Sequence, residues 1–552
     1  MAKDLAWCVF FLWLLLAAFF GSQLPKYDDI FAVESTRSII TTGIPQIYWG
    51  EQEAYKYEAG KTTGWVSGLY HPPLYSYLLS AFVYLFDSLF AYRLFGVLCQ
   101  FIAFWLLWLI SKEISKVHVL PLAAILYFLS PLAIHQSLLF SIDTTIYPIT
   151  LLLFILMFVR WEDNLPMRRT LLLGLLFGFA LLSKYTTAIF LPVTVGAYYV
   201  LRRKYAFAIQ RVAIIGVVGL ASFLGGMLTF SSLTGLDFLY VLRFTLFSRA
   251  MAPTQVFRNM LSSGAYDIFW APFLFFFLAF CVHRLVDYAR EKTVGKGDIP
   301  LLFCSIGYLA YALKAPNIYY KFPFLMIMAL YGADLGVVKY KKVLTAFLVA
   351  IPFYLVLPDP LLLLPRIIPV VFAALPSLAV LLLMLLPLFV TLFTKRYSLA
   401  LGVLLAMEAG MVFAQVQGNY STIVAYGERG YEETIAYIKP QLSPSDMVIN
   451  RWDLGYLLGV SFYQDESFTH RNLCGIENTK ARRKPSTCGL LDVEYRTNST
   501  SFLSDSRVKF FIHSRYFAEL DGGLTNDTKS ILADQYVLDK TIGDFSIYRR
   551  KG

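Results

Sequence analysis

The sequence predicts a membrane all-α, multi-span protein of about 13 transmembrane helices, followed by a smaller external α/β domain. Two properties of the composition predict this fold class: 57% of the 552 residues are hydrophobic, and only 15% are charged. Soluble domains carry about 25% charged residues. In addition, long apolar runs give way to a polar segment near residue 417. We therefore expect a transmembrane domain at 1–416 and an extracytoplasmic α/β domain at 417–552.

The net charge of +11 reflects membrane topology, and no nucleic-acid partner is expected. Lys and Arg cluster in short loops between apolar runs, which is typical of loops on the cytoplasmic side. These loops contain Lys112 and Lys116; Arg168 and Arg169; Arg202, Arg203 and Lys204; Arg290, Lys292 and Lys296; Lys339, Lys341 and Lys342; and Lys395 and Arg396.

The first apolar run, from Leu5 to Gly21, resembles a signal peptide but has no small-x-small cleavage site before Asp28. Since further spans follow it, we expect a retained anchor with a cytoplasmic N-terminus. The other predicted spans lie near 91–110, 119–140, 144–160, 170–184, 186–201, 206–230, 266–283, 298–313, 322–338, 343–358, 367–393 and 398–416.

Successive loops of a membrane protein lie on opposite sides of the bilayer, and this alternation predicts how many times the segment after Asp28 crosses it. If Asp28 is outside and Lys112 inside, residues 74–110 cross the membrane an odd number of times, and they are too few for three crossings. The Tyr-rich run that follows two prolines is therefore predicted to be an interfacial helix at about 74–88, lying along the bilayer surface. Residues 23–90 become one external loop.

The polar C-terminal segment contains signals for both helix and strand. GYEETIAYIKPQL has a helical period, whereas DMVIN, VKFFIHS and FSIYRR are typical of short strands. Cys474 and Cys488 could form a disulfide if this segment is exported. Asn498 and Asn526 lie in sequons and are candidate N-glycosylation sites.

Two adjacent carboxylates, Asp28 and Asp29, follow the first span directly in PKYDDIFAVES. Ionised side chains at the membrane cost free energy, so they usually occur where function requires them. The structural alternative is a solvated loop start or a helix N-cap, because DDIFAVES could begin a helix. Glu34 and His71 follow in the same loop, which favours a functional site.

Other polar residues fall at predicted external ends of spans. His71 precedes two prolines and could be a turn residue, a phosphate ligand or a metal ligand, although no second His is spaced to complete a metal site. Asp143 lies at a span end, where contact with water makes its charge inexpensive. Lys184 and Lys321 lie beside apolar runs, and either snorkel to the interface or bind a lipid phosphate.

In order along the chain, YDDIFAVES, TTGIP, HPPLYSYLL and AYRLFGVL resemble motifs of the GT-C glycosyltransferases that use polyprenyl-phosphate sugars. The groups resembled are the protein O-mannosyltransferases and the aminoarabinose transferases of lipid A. The resemblance continues through SID, GFALLSKYTTAIFLP and YYKFPFLMIMAL, and covers most of residues 1–335. This chain has Asp29 where the family usually has Glu.

The resemblance implies a GT-C fold and an inverting transferase. A sugar, most often mannose in this family, would move from a polyprenyl or dolichyl phosphate to an acceptor hydroxyl on the extracytoplasmic face. Asp28 matches the general base, with Asp29 as its partner. The candidates for binding the donor phosphate are His71, Arg93, Lys184 and Lys321.

The resemblance leaves several properties open. The acceptor could be a protein, a glycan or a lipid, and the membrane a plasma membrane or one of the endoplasmic reticulum type. No cofactor is implied, and dependence on a divalent metal ion stays open.

Two other functions stay open as alternatives. NRWDLGYLLG, at 450–459, partly resembles the WWDYG motif of oligosaccharyltransferase catalytic subunits, through Trp452, Asp453 and Gly455. A membrane transporter or lipid flippase would also have many spans and intramembrane lysines. However, the sequence shows no inverted repeat and places few carboxylates in the middle of a span.

Overall fold

The structure is a computed structural model. It describes residues 6–11, 13–14, 28–56, 60–67, 72–86, 89–128, 142, 144–247, 271–314, 324–337, 430–450, 452–464, 493–495, 499–514 and 526–551.

The helices in these ranges are α1 (Asp28–Thr42), α2 (Leu74–Tyr84), α3 (Leu89–Glu113), α4 (Leu120–Phe128), α5 (Ile146–Trp161), α6 (Met167–Ser183), α7 (Tyr185–Ala188), α8 (Phe190–Leu201), α9 (Tyr205–Thr234), α10 (Phe238–Phe247), α11 (Ala271–Glu291), α12 (Asp298–Lys314), α13 (Leu325–Val337), α14 (Tyr431–Ile438), α15 (Trp452–Leu458), α16 (Ser499–Ser504) and α17 (Asn526–Gln535). The strands are β1 (Gln46–Lys56), β2 (Gly60–Ser67), β3 (Met447–Asn450), β4 (Ser461–Gln464), β5 (Val493–Tyr495), β6 (Val508–Ser514), β7 (Tyr536–Ile542) and β8 (Phe545–Arg550).

The chain forms two compact units. The first comprises Met1–Ser22, Phe86–Gly226 and Ala252–Tyr420. Its described part is helical: α3 packs against α5, α5 against α6, α8 against α12, and α13 against both α4 and α11. Apolar side chains cover most of these helices, so each can bury one side against a neighbour and leave the other for lipid.

Aromatic rings and small residues hold this unit together. Phe10 stacks on Phe104 of α3 and meets Phe128 of α4 edge-on, with ring centroids 5.7 and 5.4 Å apart. In α6, a Cβ added at Gly178 would lie 2.5 Å from the Cβ of Ser222 in α9. Only glycine therefore allows these two helices to approach so closely, as at small-xxx-small contacts between membrane helices.

Helices occupy the positions of the predicted spans from 91–110 to 322–338 as far as these are described. Among the described residues, Phe90–Glu113 and Tyr205–Thr234 are long and apolar enough to cross a membrane. The spans predicted at 343–358, 367–393 and 398–416 lie outside the described residues, so the number of spans stays a prediction.

The second unit comprises Gln23–Leu85, Met227–Met251 and Ser421–Gly552. Its larger sheet has the strand order β4-β3-β6-β8-β7. Strand β3 runs parallel to β4 and β6, whereas β8 runs antiparallel to β6 and β7. Helices α14 and α15 contribute to the buried cluster on one face, and α16 and α17 to the cluster on the other.

Most of the segment predicted as an external loop, Gln23–Leu85, belongs to this second unit. It contains α1, the antiparallel hairpin β1–β2 and α2, and β5 pairs with β1 to form a second, smaller sheet. Ile30 of α1 and Ile47 of β1 lie in the same buried cluster as Val448 and Ile547 of the larger sheet. The domain division at 416/417 stays a prediction, as does the location of α2 on the bilayer surface.

Candidate active site

The adjacent carboxylates lie on a helix. Asp28 and Asp29 are the first described residues of helix α1 (Asp28–Thr42). The side chain of Asp28 lies outside the described part of the structure. The acidic pair is therefore helical, which is compatible with a functional role, and a helix start at the pair stays a prediction.

Helix α1 is buried although it is polar. Asp29 is 1% exposed, Glu34 7% and Thr36 0%, and Ser35 and Ser38 are buried as well. Burial of polar and ionised groups costs free energy that apolar residues at these positions would avoid. Buried ionisable residues of this kind concentrate at functional sites.

Both ends of α1 are fixed within the second unit. At its start, Ile30 lies in the core of the larger sheet. At its end, Gly43 adopts a left-handed conformation (φ 77°), and its N–H donates to the Ile39 carbonyl at 2.8 Å. The Tyr77 hydroxyl of α2 donates to the Gly43 carbonyl at 2.7 Å. These contacts hold the acidic helix in one place.

In the first unit, Lys184 lies where the helical chain is interrupted. Its backbone is extended (φ −159°, ψ 114°) between α6 and α7, and the residue is 2% exposed. The α7 helix that follows is fixed by the Tyr147 hydroxyl, which accepts a hydrogen bond from the Thr187 N–H at 2.6 Å. A buried ammonium beside a break in a helix is typical of a functional site in membrane proteins.

A second polar contact in the first unit was not predicted. The Gln100 amide of α3 donates to the Thr144 carbonyl at 2.5 Å and accepts from the Tyr127 hydroxyl at 3.2 Å. Both side chains are buried, and Thr144 follows Asp143 directly. Gln100 lies in the apolar run of α3, where a single amide is a weak sequence signal.

The predicted site residues are distributed as follows. Asp28, Asp29 and Glu34 lie on α1 in the second unit, and Arg93 of α3 and Lys184 lie in the first. Asn526 is exposed at the start of α17. The predictions for His71, Asp143, Lys321, Cys474, Cys488 and Asn498 fall outside the described residues. Within the described ranges, no three His, Cys, Asp or Glu side chains are grouped to hold a metal ion.

Among the described residues, several charges at helix ends are engaged in ion pairs. Arg284 donates to Asp298 at 2.6 Å, and Arg160 to Glu113 at 2.7 Å. Lys116 pairs with Asp334. These ion pairs therefore stabilise the packing of the helices that they join.

Residues 70–227 match the family model described as dolichyl-phosphate-mannose-protein mannosyltransferase. The matched segment begins just before His71 and contains Arg93, Asp143 and Lys184, whereas α1 precedes it. Comparison with curated protein sequences returned no match.

Solved structures show similarity over nearly the whole chain. ArnT from Cupriavidus metallidurans bound to undecaprenyl phosphate has a TM-score of 0.59 at 13% identity, covering 99% of this chain and 97% of that one. The apo form of ArnT gives a TM-score of 0.58 at 12% identity, covering 98% and 97%. Residues 70–227 therefore resemble this mannosyltransferase family, and the chain shares the fold of ArnT.

These matches bear out the resemblance to GT-C glycosyltransferases stated from the sequence motifs, and the similarity to ArnT shows a shared membrane fold. At 12–13% identity the similarity to ArnT concerns the fold.

Gly455 of the NRWDLG segment has a packing role, since a Cβ there would lie 2.3 Å from the Phe462 ring. The resemblance of that segment to the oligosaccharyltransferase motif therefore gains no support from Gly455.

Proposed function

We propose that this GT-C protein transfers a sugar from a polyprenyl or dolichyl phosphate to an acceptor hydroxyl on the extracytoplasmic face of a membrane. Mannose is the sugar that we propose, because the matching family model describes dolichyl-phosphate-mannose transferases. The lipid carrier is proposed by analogy with ArnT, whose structure was determined with undecaprenyl phosphate. The observation on which the proposal rests most heavily is the buried, acidic helix α1.

The acidic pair supplies the base in this proposal. The carboxylate of Asp28 removes the proton from the acceptor hydroxyl as the oxygen attacks the anomeric carbon of the donor, and Asp29 supports it. The new glycosidic bond forms as the bond from the anomeric carbon to the phosphate oxygen breaks. The electron pair leaves with the polyprenyl phosphate, and the configuration of the sugar inverts.

The leaving phosphate requires cationic partners, because its negative charge grows in the transition state. Lys184 is the best supported candidate, since its ammonium is buried beside the interruption between α6 and α7. Arg93, His71 and Lys321 complete the proposed set. A divalent metal ion is an optional addition, for which the described residues offer no grouped ligands.

The proposal is tested by incubating membranes that contain the protein with labelled polyprenyl-phosphate mannose and identifying the molecule that becomes labelled. Asp28→Asn should lower the rate of transfer by about 10²–10⁴-fold, the usual contribution of a general base. Asp163→Asn is the matched control, because the side chain of Asp163 is 65% exposed and lies in a loop of the first unit. It should transfer sugar at the wild-type rate.

The same assay distinguishes an enzyme from a transporter or flippase. An enzyme joins label covalently to an acceptor, whereas a flippase moves the intact donor across the bilayer. Wild-type transfer by both Asp28→Asn and Asp29→Asn would exclude the acidic pair as the base.

A further inference from the structure

Helix α1 and the C-terminal α/β sheet are joined by a polar contact between residues 419 positions apart. The Arg37 guanidinium donates a hydrogen bond to the Tyr456 hydroxyl at 2.5 Å, and its Cζ lies 5.8 Å from the centre of the same ring. Both residues belong to the second unit. The contact therefore links the acidic helix to α15.

The face of α1 that makes this contact also carries acid. Ile30, Glu34 and Arg37 are four and three positions apart, a spacing that places them on one side of a helix. Ile30 enters the core of the sheet, and Arg37 reaches Tyr456. The negative charge of Glu34 acts on Tyr456 and raises the pKa of its hydroxyl.

Tyr456 itself is held firmly. Its ring packs against the buried cluster that contains Leu454 and Leu458 of the same helix, together with Phe462. Burial raises the pKa of the Tyr456 hydroxyl, with Arg37 opposing and Glu34 adding to the shift. The hydroxyl is therefore neutral at physiological pH and serves as a fixed acceptor for Arg37.

We propose that Tyr456, acting through Arg37, is a positioning residue that sets the orientation of α1 and thereby of the Asp28–Asp29 base. This inference rests on the proposed function. In this inference the C-terminal α/β domain helps to position the proposed base, in addition to any role in selecting the acceptor.

A contact at an exposed arginine contributes little to stability, typically below about 1 kcal/mol. Its effect on rate can be larger, because a displacement of about 1 Å in a catalytic group can lower the rate by about 10²-fold. Loss of the Tyr456 hydroxyl should therefore lower turnover more than it lowers stability. This difference separates positioning from a purely structural role.

The test compares Tyr456→Phe with Tyr437→Phe in full-length protein. Tyr437 packs against the same cluster, and its hydroxyl donates to Asp539 at 2.8 Å within the α/β sheet. Both substitutions remove one hydroxyl and keep the ring. Tyr456→Phe should lower kcat about 10-fold with the KM for labelled polyprenyl-phosphate mannose within about twofold, whereas Tyr437→Phe should leave both constants unchanged.

A double-mutant cycle with Arg37→Ala completes the test. If Tyr456 acts through Arg37, the double variant should be no slower than the slower single variant, because both changes remove the same contact. Arg37→Lys should restore part of the activity lost in Arg37→Ala.

Two outcomes would overturn the inference, and they are distinguishable. Equal kinetics for Tyr456→Phe and Tyr437→Phe, while Asp28→Asn is inactive, would refute the positioning role alone. Full activity of both Asp28→Asn and Asp29→Asn would refute the proposed base and the positioning role together. Thermal unfolding of each variant in detergent confirms that it is folded.

Discussion

Helix α1 is polar but buried, whereas helix α9 is apolar but partly exposed. Helix α1 carries Asp29 and Glu34 and is buried, whereas α9 is apolar and leaves Ile209 and Val217 about 70% exposed (72% and 69%). In water both arrangements would be unfavourable. We attribute the exposed apolar surface of α9 to contact with lipid, and the buried acids of α1 to the proposed chemistry. On this interpretation, the membrane and the proposed active site leave distinct signatures in one chain.

The strongest test of this comparison concerns the acids of α1. Asp29→Asn and Glu34→Gln keep the shape of the side chain and remove its charge. Each should lower the rate of sugar transfer, Asp29→Asn by about 10²-fold or more. Neither should lower the melting temperature. Ile30→Ala, in the same helix, should instead destabilise the fold by about 2–5 kcal/mol, because it opens a cavity in the core. Measured transfer rates and thermal unfolding of the three variants provide the check. Destabilised but fully active acid variants would show that the acids of α1 are structural.

The next test concerns the exposed side of α9. Val217→Lys places a charge near the middle of a helix that we assign to the membrane, and should disfavour insertion by about 2.5–3.5 kcal/mol. The same substitution at Thr41, which is exposed on α1, should change the yield of membrane-integrated protein little. Carbonate extraction of membranes measures the integrated fraction. Equal integration of both variants would remove lipid as the explanation for the apolar surface of α9.

The smallest effect is expected for a carboxylate of the α/β sheet. A hydrogen bond from the Arg507 guanidinium lowers the pKa of Asp505 from 3.8 to about 2, and the Tyr463 hydroxyl also donates to this carboxyl, at 2.9 Å. Because the pKa is lower in the folded state, ionised Asp505 stabilises the fold above about pH 4, and this contribution disappears as the pH falls through about 2.

Asp505→Asn should therefore destabilise the fold by about 0.5–1 kcal/mol at pH 7, after allowance for solvent screening. The difference in melting temperature between this variant and the wild type should shrink at pH 3. Transfer at pH 7 should be unchanged, in contrast to the acids of α1. A difference that grows on acidification would contradict the assigned role of Asp505.

The membrane helices were the most predictable part of the fold. Apolar runs such as that of α3 exceed the length of any ordinary strand, and the predicted 91–110 falls inside the observed Leu89–Glu113. The break between the spans predicted at 170–184 and 186–201 occurs at Lys184, as the short polar interruption indicates. In the C-terminal segment, α14, β3, β6 and β8 occur where GYEETIAYIKPQL, DMVIN, VKFFIHS and FSIYRR predict them.

The first loop was predictable only in part. Helix α2 was expected at about 74–88 and is observed at Leu74–Tyr84. The hairpin of β1 and β2 was missed, since QIYWGEQEAYK contains charges, a glycine and a bulge between Tyr48 and Glu53 that disturb a simple alternation. Neither could the burial of α1 be foreseen, because it depends on strands that lie more than 400 positions away.

The candidate site was also predictable only where its residues stand out locally in the sequence. Asp28, Asp29 and Lys184 stand out in the sequence because charge is rare near apolar runs. Arg37 and Tyr456 do not, since an arginine in a polar helix and a tyrosine beside leucines are common. The positioning role that we propose for them rests on a long-range contact, which no local pattern encodes.

The second unit is assembled from Gln23–Leu85, Met227–Met251 and Ser421–Gly552, and Ile30 shares its core with Phe545 and Ile547 near the C-terminus. During synthesis the acidic helix is made before the strands of the larger sheet that bury it. Folding of this unit is therefore dominated by contacts of high sequence separation, which form slowly. The acids of α1 are therefore buried only after translation has passed Ile547, so the proposed base takes its final position late in synthesis, long after its own helix has been made.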